Sequence, residues 1–90
     1  MDLVQAATDT ATRAALLYLK QNRLQADDAA LTACLRSWCK IKLPEALRDA
    51  KDAFDAHMPK IAEQTFLLTM AQAGIEAAKE AGFPAALCPV

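Results

Sequence analysis

The runs Ala14-Ala15-Leu16-Leu17-Tyr18-Leu19 and Phe66-Leu67-Leu68-Thr69-Met70-Ala71 decide how this chain reads. Both are apolar almost all the way round a helix. A surface helix of a small domain needs an apolar stripe on one face only, and all-round apolarity calls for cover on two sides. A chain of 90 residues can supply little of that cover itself, so the reading that follows from these runs is a second chain packed against the first.

The rest of the composition agrees with helices. Ala fills 21 positions, against two Gly, four Pro, two Val and three Ile. Ala is the strongest helix former and Gly and Pro the strongest breakers, while Val and Ile are the usual material of strands. An apolar fraction of 54% with a net charge of −1 argues for a folded domain over a disordered one. The expectation is a single all-α domain over residues 1–90, a small bundle of three to four helices that associates into an oligomer.

Helical spacing locates the elements. The first helix, 3–21, carries Leu3, Val4, Ala7, Ala11, Ala14, Ala15 and Tyr18 on one stripe. Asp2 and Gln5 form a capping-box-like start, and Asn22 suits the left-handed C-terminal position. Leu16 falls opposite Leu3 and makes one-sided burial inadequate. The second helix, 28–41, is capped by Asp27 or Asp28 and buries Leu31, Cys34, Leu35 and Trp38. Pro44 and Glu45 suit the first turn of a third helix, 44–58, where the missing N–H costs nothing. Its expected stripe is Leu47, Ala50, Phe54 and His57 or Met58, with Arg48–Asp52 and Lys51–Asp55 as ion pairs on the wet side.

Pro59 then imposes a break or a sharp kink. The last helix, 60–81, offers two lines: Ile61, Thr65, Leu68, Gln72 and Ile75, and Ala62, Phe66, Met70, Ala73 and Ala77. Gly82 caps it and Pro84 stops it. The tail 83–90 is apolar and uncharged apart from its terminal carboxylate, and is expected to lie in a surface groove.

No motif specifies chemistry. Cys34 and Cys39 are five residues apart, which on a helix separates their Cα atoms by roughly 8.6 Å, too far for a disulfide. Three cysteines in all, an odd number, fit a reducing compartment. His57 is the one histidine, so a two-histidine metal site within one subunit is excluded, and it reads as a boundary residue. Asp49, Asp52 and Asp55 read as a wet face. Phosphate loops and the common zinc and hydrolase motifs are missing. The expectation is therefore a protein without catalytic residues, cofactor or metal, and not an enzyme.

Charge and targeting signals complete the reading. Residues 1–42 hold six basic and four acidic side chains, and residues 43–90 four and seven. Fields this small steer weakly, so nucleic acid is not the expected partner. Lys20, Arg23, Arg36, Lys40 and Lys42 are the residues an alternative nucleic-acid-binding regulator would use. A ligand-binding or enzyme accessory subunit is a further alternative. A secretory leader, a membrane span and a complete prenylation box are not expected, which makes the cytoplasm the default location. The expected function is recognition, an accessory, regulatory or adaptor role without membrane contact. It would act through self-association or a partner protein at Leu16, Leu17, Leu19, Phe66, Leu67 and Met70.

Overall fold

A computed structural model describes residues 3–84 as an all-α fold. Three helices, α1 (Leu3–Gln21), α2 (Asp28–Asp55) and α3 (Pro59–Ala81), are joined by a minimal antiparallel ladder of β1 (Leu24–Gln25) and β2 (Phe83–Pro84). Leu24 lies opposite Pro84, and Gln25 opposite Phe83. This ladder holds the first two residues of the expected tail beside the α1–α2 link. Residues 85–90 of that tail, like the Asp2 cap, lie outside the described residues.

The helix ends follow from local chemistry. The Asp27 carboxylate accepts a hydrogen bond from the Ala30 N–H at 3.2 Å, capping α2. At the end of α1 the Asn22 side-chain amide donates to the Tyr18 carbonyl at 2.9 Å. The left-handed conformation expected of Asn22 falls instead on Arg23, with φ 53°. Gly82 caps α3 by donating its N–H to the Ala78 carbonyl, but at φ −76° and ψ 145° it is extended, not left-handed. Glycine is required there by space: a Cβ would lie 2.6 Å from the Ala78 carbonyl oxygen and 2.9 Å from Leu19.

The expected helices 28–41 and 44–58 are one helix, with Pro44 in its interior. Proline removes the hydrogen bond to the carbonyl four residues back and crowds it, at a cost of about 3 kcal/mol. Tertiary packing offsets that cost. Leu31 and Leu35 are buried before the proline and Ala46 after it, with Trp38, Cys39, Leu43 and Ala50 packed on the core between and beyond. Lys42 and Glu45 bridge the proline at 3.6 Å. Among the described residues the ion pairs within 4 Å are this one and Glu76–Lys79, so the expected Arg48–Asp52 and Lys51–Asp55 pairs are not closed.

The break comes at Pro59. Helix α2 ends three residues earlier than expected, at Asp55, and Pro59 takes the first turn of α3. The His57 N–H donates to the Phe54 carbonyl and the Met58 N–H to the Ala53 carbonyl, each at 3.0 Å. This pair of bonds is a Schellman closure with His57 in the left-handed position, φ 61°. His57 is thus exposed on a turn and does not extend a buried stripe.

Helix α3 is the spine. Of its two candidate lines, Ala62, Phe66, Met70, Ala73 and Ala77 are buried, whereas Leu68 is 63% exposed. Helix α1 runs parallel to it: Ala11 meets Gly74, and Leu19 meets Gly82, eight residues further along each helix. At the first crossing a Cβ on Gly74 would stand 1.9 Å from the Ala11 carbonyl oxygen. Ala7, Ala11 and Ala15 complete the near face of α1, all essentially inaccessible. Helix α2 runs antiparallel along another side of α3, tied across by Trp38, whose Nε1 donates to Glu80 Oε2 at 2.7 Å. The result is elongated, 55 × 21 × 19 Å with a radius of gyration of 14.6 Å, against about 12 Å for a compact chain of this length.

Two substitutions test these backbone arguments. Gly74→Ala adds a better helix former yet should destabilise by about 1–3 kcal/mol in a denaturant titration, because α1 must move. Stabilisation would show that the two backbones are further apart. His57→Gly should stabilise by about 1 kcal/mol, by removing a left-handed non-glycine residue.

Candidate interaction surface

The helices have unequal reach. Ala7, near the start of α1, packs with Phe66 and Met70 of α3. Helix α3 begins seven residues before Phe66, so the α2–α3 hairpin projects roughly 10 Å past the start of α1. Four of the ten exposed large apolar side chains among the described residues stand at or beside this projection. Phe54 is 65% exposed, and Leu47, Met58 and Ile61 are each more than two-fifths exposed. Together with Pro59, Ala62, Phe66 and Leu67, Leu47 and Phe54 line an open groove of about 490 Å³, with Lys51 and Glu63 at its margin.

A second groove, about 520 Å³, lies between α1 and α2. Val4, Thr8 and Thr12 form one wall, and Met70 of α3 contributes to the floor beside Leu35 and Leu43. The Thr8 and Thr12 hydroxyls donate to carbonyls four residues back on their own helix, each at 2.8 Å. The α2 wall carries Arg36 and Lys40. Cys39 also lines it, and burial pushes its thiol up from the ordinary range. Volumes of this order are typical of binding clefts.

The two grooves share one flank of α2. Thr32, Arg36, Lys40, Leu43, Leu47, Ala50 and Phe54 line them in turn, at spacings of three and four that repeat as on a packing seam. That seam is about 33 Å long.

The six residues expected at an interface separate clearly. Leu19, Phe66 and Met70 are buried within the chain's own core. The runs that contain them are partly internal because α3 is covered from two sides. Leu67 is half-buried at the edge of the first groove, and Leu16 and Leu17 are exposed at 53% and 55%. The seam on α2 was not legible as a surface, because its apolar members resemble a buried stripe. The five basic residues do not converge either. Arg36 and Lys40 face the second groove, whereas Lys42 lies on another side of α2, beside Trp38, Gln72 and Lys79. Lys20 and Arg23 stand at the far end of α1.

Cys34 and Cys39 are both free thiols, and no group of three or more metal-ligating side chains gathers among the described residues. None of the described helices is long and apolar enough to cross a membrane. The sequence matches no protein-family model, and no curated protein or solved structure matches the chain.

The Cys39 thiol gives a pH test. A thiol raised in the folded state stays protonated longer there than in the unfolded chain. It therefore costs nothing below the unfolded thiol's range and subtracts stability as pH rises through it. The denaturation midpoint should fall between about pH 8 and 9.5, and the fall should be smaller in Cys39→Ala. An identical fall in both proteins would place the titration elsewhere.

Proposed function

We propose that this is a small non-enzymatic interaction protein, an accessory or adaptor that acts by packing its open apolar face against a partner protein or a second copy of itself. The observation that carries the reading is the bare end of the α2–α3 hairpin, where Phe54 and Leu47 stand exposed over a groove floored by Phe66. Contiguous apolar surface of this kind in a small domain marks a protein-binding site. A core built largely of alanine also leaves the larger side chains free to contribute burial to an assembly. Scattered cations give nucleic acid no continuous track, so it has no part in the proposal.

Sedimentation equilibrium at micromolar concentration, read beside the fluorescence of an apolar dye on the folded protein, tests the proposal. The native chain should either exceed its 9.7 kDa monomer mass or bind the dye. Phe54→Asp should abolish that behaviour while changing stability by no more than about 0.5 kcal/mol, as for other exposed positions. A folded monomer that leaves the dye dark would overturn the reading.

A further inference from the structure

Resting on that reading, we infer that the seam along α2 is a seat for an acidic amphipathic helix supplied by a different protein. Its walls are α1 and α2 in the second groove, with Met70 of α3 below, and α2 and α3 in the first. An extended peptide would bring unpaired N–H and C=O groups into this apolar channel, with no strand edge beside it to satisfy them. The only described ladder, Leu24–Gln25 with Phe83–Pro84, is at the opposite end of the rod. A helix satisfies its own backbone and needs only an apolar stripe. At about 33 Å the seam accepts a helix of roughly 20 residues.

Charge selects the kind of helix. Arg36 and Lys40 line the second groove and Lys51 the first, and none of the three has a carboxylate within 4 Å among the described residues. Among the described residues that line either groove, the one acidic side chain is Glu63, on α3. The described α1 residues that line the grooves are uncharged. A bound helix therefore meets the Arg36–Lys40 pair at the second-groove end of the seam, which favours Glu or Asp there beside its apolar stripe. A second copy fits poorly. Its own α2 seam, set antiparallel about its midpoint near Leu43, would bring Lys51 of each copy beside Arg36 of the other. Leu16 and Leu17 are flanked by Arg13 and Lys20, and Leu68 is flanked by Gln64 and Gln72.

Two synthetic peptides of about 21 residues, three heptads sharing one Leu/Ala face, make the test. One carries Glu on its flanks and the other Lys, and each is titrated calorimetrically into the intact chain. The acidic peptide should bind at least about tenfold more tightly, with an affinity that falls as salt rises. Arg36→Glu with Lys40→Glu, both on exposed positions, should reverse the preference while leaving the helical circular dichroism unchanged. Equal binding of both peptides, or binding of neither, would overturn the inference. If neither binds but the double variant shifts the chain's own sedimentation mass, the seam belongs to a second copy. That result would refute the acidic-helix assignment and leave the interaction reading standing. A dye-silent monomer would refute both.

Discussion

The architecture depends on the contact between the backbones of α1 and α3 at Ala11 and Gly74. With a side chain at position 74 its first carbon would sit 1.9 Å from the Ala11 carbonyl oxygen, so the approach exists only because that position has none. Ala7 and Ala15 continue the same close approach on α1, and Ala73, Ala77 and Ala78 on α3. Small residues let two helices come nearer than the usual 8–10 Å spacing set by larger side chains. Dispersion gained across many backbone and methyl contacts then takes the place of a few large buried side chains.

This economy has a consequence for the surface. Eight of the thirteen buried apolar residues among those described are alanine, and each removes little apolar area from water. The larger side chains lie outside the tight α1–α3 contact. Some anchor α2, as Leu31, Leu35 and Trp38 do. Others, notably Phe54, Leu47 and Leu68, remain largely in water. Because α1 is pulled onto α3, it does not close over α2, and a channel stays open between them. The accessible surface of 6376 Å² exceeds the ~5,100 Å² that scaling assigns to a compact monomer of this mass. The open flank and the thin core have one cause.

Helical periodicity made much of this legible. The line Ala62, Phe66, Met70, Ala73 and Ala77 is buried as its spacing implies, and so are Leu31 and Leu35 of α2. What sequence concealed was tertiary. Pro44 has the local chemistry of a helix start, and only packing of α2 along α3 on both sides of it keeps the helix continuous. His57 occupies a turn position that glycine usually marks, so its spacing after Phe54 suggested a stripe that the Schellman closure ends. The residues expected at an interface divided for a related reason. Leu19, Phe66 and Met70 point into a contact between α1, α2 and α3 that cannot be inferred from any helix alone, whereas Leu16 and Leu17 lie beyond it. The α2 flank became visible only with the relative register of the helices, which sets where α1 begins.

The most direct measurement of this arrangement is a nuclear Overhauser map of the folded protein in solution. The account predicts strong contacts between the Gly74 α-protons and Ala11, and none across the channel from the Thr8 and Thr12 methyls to Thr32 or Leu43. Cross-channel contacts with a silent Gly74 would mean that α1 closes on α2 instead of α3, and would contradict both the proposed spine and the open flank.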